Sequence, residues 1–259
     1  MNQIKARKIN LGKNVIIDPS ASIRGLNGDA EEVTIGDNVY IGASVQIICD
    51  NFSIGDYSKM HHHTNVHGYK PCTIGHNAWI GQGSLLDSIG GLTIGDNCCI
   101  GAYTHLWTHM KYGDTLEGCT FLSEKEMVVG KDVWFGGHCS ITPITAADKS
   151  MVLASSLVTK DMEFNRIYGG NPAKDLTEKL GSPFEEVSLS RKMSLMLSYL
   201  EDSGVDKSKI KVVESEDDFK DDGATYFSVS SRTYSKKQSE EEVNFMKYLL
   251  PEKGKFTPA

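Results

Sequence analysis

Along this chain an aliphatic side chain returns at intervals of six. Residues 92–109 read Leu-Thr-Ile94-Gly-Asp-Asn, Cys-Cys-Ile100-Gly-Ala-Tyr, Thr-His-Leu106-Trp-Thr-His109, and small or polar residues fill most of the space between the aliphatic positions. The same phase continues on both sides as Ile17, Ile23; Ile35, Ile41, Ile47; Ile54, Met60, Val66; Ile74, Ile80, Leu86; Ile94, Ile100, Leu106; Val129, Phe135, Ile141; and Ala146, Val152, Val158. A repeat this short buries its apolar residue only by stacking on its neighbours, so the pattern predicts a β-solenoid.

From Ile35 onward these positions come in threes. The phase slips after each triplet, with one extra residue before Ile54, two before Ile74 and Ile94, seventeen before Val129, and one fewer before Ala146. A slip at every third repeat predicts an all-β triangular prism of parallel strands whose insertions all leave from one edge. Successive coils stack at the β spacing of about 4.8 Å. Gly, Asp and Asn after the aliphatic positions suit the tight turns between sides.

The pattern divides the chain. Residues 1–32 read as an N-terminal lead-in and a degenerate first coil, and residues 33–180 as the repeat domain interrupted by a long loop over 107–128. Residues 181–259 read as a small α/β appendage, richer in charge. In the appendage, helical spacing over 188–200 and 240–250 alternates with strand-like stretches over 209–213 and 224–230. A long loop emerging from a rigid scaffold is where a site is expected.

Charge narrows the partners. A net charge of −7 and a pI near 5.6 disfavour nucleic acid or an anionic membrane as the main partner. The start of the chain has no apolar signal region and no stretch has the length of a membrane span, so a cytoplasmic protein is expected. The six cysteines form no C-x-x-C pair and fall mostly inside repeats, where a reduced, packed thiol fits.

Three motifs carry a family resemblance: Thr108-His109 opening the long loop, Val133-Trp134-Phe135-Gly136, and the run from Ser156 through Thr159-Lys160-Asp161 to Gly169-Gly170-Asn171-Pro172-Ala173. With the repeats, they resemble the hexapeptide-repeat acyltransferases, in particular the galactoside, maltose and xenobiotic acetyltransferase branch. That resemblance implies a left-handed parallel β-helix, acetyl-CoA as donor, and homotrimers with sites between neighbouring prisms. By position it implies His109 as the catalytic base and Trp134 lining the pantetheine or acceptor cleft. It also implies the Gly136, Gly137 and Ala154 backbone along the thioester arm, with Thr159, Lys160 and Lys174 near the nucleotide end of CoA. Ala146-Ala147, Leu153 and Ile144 depart from the family pattern.

The chemistry such a site needs is modest. A thioester is already activated, whereas a hydroxyl does not ionise unaided, so a neutral imidazole that accepts its proton during attack supplies about 10²–10⁴-fold. Backbone N–H groups beside Gly136 and Gly137 are candidate donors to the oxyanion. His63, His67, His105, Trp107 and His138 are candidates for contacting a sugar acceptor. The segment His62-x₄-His67-Gly68 is similar to the paired zinc ligands of γ-class carbonic anhydrases, but no histidine in the preceding coil completes a set of three, and no metal is expected. The leading expectation is an acetyl-CoA-dependent O-acetyltransferase acting on a sugar hydroxyl. N-acetylation of a nucleotide-linked amino sugar, a metal hydratase and a non-catalytic scaffold are the alternatives.

Overall fold

The computed structural model describes residues 3–259, which divide into two compact units that meet between Phe184 and Glu185. The first unit is a left-handed parallel β-helix made of three sheets. The first sheet runs from Ala6–Leu11 through Ala30–Ile35, Asn51–Ile54, Cys72–Ile74, Leu92–Ile94 and Met127–Val129 to Thr145–Ala146. The second begins at Ile16–Ile17 and includes Trp79–Ile80, Cys99–Ile100 and Trp134–Phe135; the third includes Asn65–Gly68, Leu85–Asp87 and His105–Leu106.

Register follows the six-residue phase. Ile35 pairs with Ile54, Ile54 with Ile74, Ile74 with Ile94, Ile94 with Val129 and Val129 with Ala146. These columns form one continuous buried core that takes in Ile41, Met60, Ile80, Ile100 and Phe135 from the second sheet and Ile47, Val66, Leu86, Leu106 and Ile141 from the third. Five cysteines lie buried or partly buried in the coils and all six are free thiols.

The corners explain why only one edge accepts insertions. At the corners after the first and second sheets, the residue three beyond the core position is left-handed: Asn38, Tyr57, Asn77 and Asn97 at one corner, Ser44, His63, Tyr103 and His138 at the other. Each corner spends four residues and reverses the chain through that one conformation, so its length is fixed. The corner after the third sheet has no such residue, and the loops of every length leave there.

Gly and Asp in the repeat have separate duties. A Cβ at Gly36 would stand 2.4 Å from Asp56 Oδ1, and one at Gly75 2.6 Å from Asp96 Oδ1. Those carboxylates reach one coil back, where Asp56 Oδ1 accepts from the Asp37 N–H at 2.8 Å and Asp96 Oδ1 from the His76 N–H at 2.9 Å. His76 takes the Asp position in its own coil, and its Nδ1 accepts from the Asp56 N–H at 3.0 Å.

Three boundaries differ from the sequence reading. The first coil is regular rather than degenerate: Ala6–Leu11 pairs with Ala30–Ile35, bringing Ile9 against Val33 and Leu11 against Ile35. Leu11 extends the phase of Ile17 and Ile23 by one position, and Ile9 and Leu11 are exposed at the end of the prism. The long loop ends before Met127, which is buried in the first sheet in register with Leu92, so residues 127–128 belong to the helix. The compact units meet at 184/185 rather than 180/181.

The second unit has a four-stranded sheet in the order Ile210–Val213, Thr225–Ser228, Thr233–Tyr234, Thr257–Pro258, with helices Leu189–Asp202 and Glu240–Leu249. Ser188 and Ser239 cap the two helices, accepting from the N–H groups of Arg191 and Glu242. Phe227 packs on Tyr234, Phe245 and Phe256 with centroids 5.1–5.5 Å apart.

Candidate active site

His109 is held from both sides. Leu106 ends the last third-sheet strand before the long loop, and His109–Met110 then pairs antiparallel with Ser123–Glu124, closing the base of that loop. Thr108 is fully buried between them: its Oγ1 accepts from the Gly90 N–H at 2.8 Å and its carbonyl from the Lys125 N–H at 3.0 Å. A Cβ at Gly90 would stand 2.6 Å from the Thr108 carbonyl oxygen, so glycine is required for this approach.

The residue that orients the imidazole is Asp87, in the neighbouring coil. Its Oδ2 lies 2.7 Å from His109 Nδ1 and also accepts from the Thr108 N–H at 2.7 Å and the Thr108 hydroxyl at 2.8 Å. Its Oδ1 accepts from the Ile89 N–H at 3.1 Å. A carboxylate receiving this many donors acts as the acceptor for Nδ1–H, which leaves the lone pair on Nε2. The Asp87 side chain is 4% exposed and that of His109 26%, so the carboxylate is buried while the ring reaches solvent.

The other candidates distribute over the prism. His67 is the register partner of Asp87 on the third sheet, and His105 packs edge-on against Trp107 with centroids 5.9 Å apart, so these three share the side from which His109 departs. His63 and His138 are exposed left-handed residues at the corner between the second and third sheets, and His138 stacks on Tyr103 at 5.1 Å. Trp134 lies on the second sheet between Cys99 and Met151, 49% exposed. Within one chain it therefore faces away from the edge that carries His109.

Gly136, Gly137 and Ala154 come together at the second corner, where a Cβ at Gly136 would stand 2.5 Å from the Ala154 nitrogen. One expectation is corrected there. The Gly136 N–H is spent on the Val152 carbonyl at 2.8 Å, as its place in the coil ladder requires, and cannot also serve an oxyanion. The N–H groups of Gly137 and Ala154, one residue further on, take no part in that ladder. Thr159, Lys160 and Lys174 are exposed at the C-terminal end of the helix, and Lys174 pairs with Gly169 in the closing hairpin.

His62 is exposed and packs edge-on against His63 at 5.4 Å. Among the described residues no group of three or more His, Cys, Asp or Glu could hold a metal ion. No helix among them is long and apolar enough to cross a membrane.

Residues 32–59 and 71–102 match the family model described as the hexapeptide repeat of succinyl-transferase. The repeat seen in the coils is thus the kind that this family model describes. Among curated proteins, this chain is 42% identical over 60 residues to a chloramphenicol acetyltransferase of Agrobacterium fabrum, covering 23% of this chain and 29% of that one. It is 26% identical over 170 residues to the chloramphenicol acetyltransferase of Morganella morganii, covering 58% of this chain and 77% of that one. An Escherichia coli protein assigned as a colanic acid biosynthesis acetyltransferase is 28% identical over 148 residues, covering 56% of this chain and 69% of that one. The first of these relatives is thus matched over less than a third of its length.

Proposed function

We propose that the protein is an acetyl-CoA-dependent O-acetyltransferase acting on a sugar hydroxyl. The observation that carries this reading is the buried Asp87 carboxylate 2.7 Å from Nδ1 of a His109 ring that is itself partly exposed. Nε2 of His109 takes the acceptor proton as the hydroxyl oxygen attacks the thioester carbon, and the oxyanion is met by the Gly137 or Ala154 N–H. As the tetrahedral intermediate collapses, the carbon–sulfur bond breaks and Nε2–H returns the proton to the CoA thiolate. No covalent acyl-enzyme is needed, because donor and acceptor are bound together.

Because Trp134 and His109 belong to different sides of one prism, the donor groove of one chain is completed by the loop of another, in a homotrimer. Support for acetyl transfer comes from the acetyltransferase names of the curated relatives. The sugar acceptor rests on the resemblance to the galactoside and maltose branch and on the exposed aromatic surface of Tyr103 and His138. The test is thiol release from acetyl-CoA with galactosides, maltose and amino sugars as acceptors, in the parent and in His109→Ala. Acceptor-dependent release that falls at least about a hundredfold in the variant is expected. The proposal fails if no acceptor stimulates release, or if the variant is as active as the parent.

A further inference from the structure

His109 stands on a ladder too short to support itself. His109–Met110 and Ser123–Glu124 pair over two residues, and residues 111–122 leave from the far end. Two strands of that length are not stable alone, and closing the segment between them costs chain entropy. On the near side the ladder is rooted through the buried Thr108, whose carbonyl accepts from the Lys125 N–H. Beyond His109 the support comes from side chains, and they converge on Glu124.

Glu124 is the register partner of His109, and residues opposite one another in an antiparallel ladder carry their Cβ atoms on one face, about 5 Å apart. Its carboxylate meets three donors. Oε1 lies 2.9 Å from Lys70 Nζ, while Oε2 contacts Lys111 Nζ within the loop and accepts from the Tyr69 hydroxyl at 3.4 Å. The Glu124 side chain is 20% exposed, against 46% for Lys70 and 42% for Lys111, so the shared carboxylate is the most enclosed member of the group. Tyr69 and Lys70 belong to a different insertion. They follow strand Asn65–Gly68 at the same corner, two coils before the long loop, and the Lys70 backbone is fixed there: its N–H donates to the Ser88 carbonyl at 3.2 Å and its carbonyl accepts from the Cys49 thiol at 3.3 Å. Asp87 comes from the coil between. Two successive coil edges thus hold the base, the ring through Asp87 and its strand through Glu124.

We infer that Glu124 is a positioning residue for the reaction at His109, acting as an ionic latch that fixes the strand carrying the imidazole to the coil edge at Tyr69 and Lys70. It touches no reacting atom. Its effect is on the fraction of molecules in which the base stands where Asp87 can orient it. The inference rests on the reading of His109 as the base of an acetyl transfer. Ion pairs as exposed as these are individually weak and are screened by salt, so the latch is adjustable rather than absolute.

The test uses the full chain with Glu124→Gln, which keeps size and removes charge, Lys70→Met, which keeps the stem, and the double variant. Amide hydrogen exchange at Lys125 reads the closing of the ladder without any substrate. It is expected to quicken at least about threefold in both single variants, while exchange at Gly95, whose N–H donates to Val129 in the coil ladder, stays unchanged. At saturating acetyl-CoA and acceptor, kcat should fall about three- to tenfold in Glu124→Gln, with KM for acetyl-CoA within about twofold of the parent. The double variant should fall no further than Glu124→Gln alone, because Lys70 acts through that carboxylate. Raising salt from about 0.05 M to 0.5 M should lower kcat of the parent about twofold and leave that of Glu124→Gln flat. Unchanged Lys125 exchange in Glu124→Gln overturns the inference, as does faster exchange with kcat unaltered, or losses that simply add in the double variant. Faster exchange throughout the coils would mean general destabilisation and would end it as well. A parent that releases no thiol with any acceptor would count against acetyl transfer alone, since exchange still decides whether Glu124 fixes the strand.

Discussion

Asp87→Asn tests the candidate site most directly, because the substitution keeps shape and removes one property. Asp87 Oδ2 receives three donors, from Thr108 N, Thr108 Oγ1 and His109 Nδ1, at 2.7–2.8 Å, and Oδ1 receives a fourth from Ile89 N at 3.1 Å. An amide that keeps its oxygen toward Thr108 and His109 preserves those three bonds but sets its NH₂ against the Ile89 N–H. That mismatch costs stability about 1–3 kcal/mol. The catalytic cost is separate. His109 becomes positively charged as it takes the acceptor proton, and a charge-assisted bond to a carboxylate is roughly twice as strong as one to a neutral amide. With unit charges about 4 Å apart at an effective dielectric near 20, the Coulomb attraction is about 4 kcal/mol, of which only part is lost on mutation. A fall in kcat of about a hundredfold, roughly 2.7 kcal/mol, is therefore expected. KM for acetyl-CoA should stay within about twofold, since Asp87 touches neither substrate. Steady-state thiol release against acetyl-CoA, with unfolding curves confirming that the variant is folded, gives both numbers. A folded Asp87→Asn protein with kcat within about twofold of the parent would remove Asp87 as the positioning residue.

Other expectations follow from the same coordinates. Gly101→Ala places a Cβ 2.4 Å from Gly137 N and 2.6 Å from Gly136 C, so denaturant unfolding should show a loss of about 1–3 kcal/mol; an unchanged midpoint would mean that the coils can spread. His61 sits between Tyr40 and Trp79, and burial, with help from the charges of Lys59 and His62, lowers its pKa below 6.5. The neutral ring is then the folded form, so its contribution is whole above about pH 6.5 and is lost as pH falls toward the lower folded value. His61→Phe should accordingly lose less stability than the parent between about pH 7 and pH 5, and parallel melting-temperature curves would contradict this. Trp134→Ala should raise KM for acetyl-CoA about tenfold with a smaller effect on kcat, and an unchanged KM takes Trp134 out of the donor groove.

The prism was legible because its rule is local. Each core residue lies six from the last, and the slips mark the edge that carries loops, so register and the loop-bearing corner follow from Ile35 to Val158 without any tertiary information. The corners were only half legible. Asn38, Asn77 and Asn97 advertise a left-handed turn, whereas Tyr57, His63, Tyr103 and His138 adopt the same conformation with no such signature, their N–H groups donating one coil back to the carbonyls of Asp37, Ala43, Gln82 and Ala102. His109 could be singled out from its motif and its place at the loop. Its partner could not, since Asp87 lies 22 residues earlier at the end of strand Leu85–Asp87, opening an Asp-Ser-Ile-Gly-Gly run with no signature of its own. Counting back one coil of about twenty residues to the same edge was the available signal. The Gly136 N–H was misread because a motif shows which residues gather at a corner but not which amide the ladder has already used.

The unconstrained third corner makes this molecule divisible in an unusual way. Length changes at that edge leave the pairing of every strand intact, so segments can be lost, lengthened or exchanged there without disturbing the core columns. Descendants of one such ancestor can then differ widely in what they recognise while sharing nearly the same interior. Sequence identity measured over the repeats would therefore track ancestry well and acceptor choice poorly.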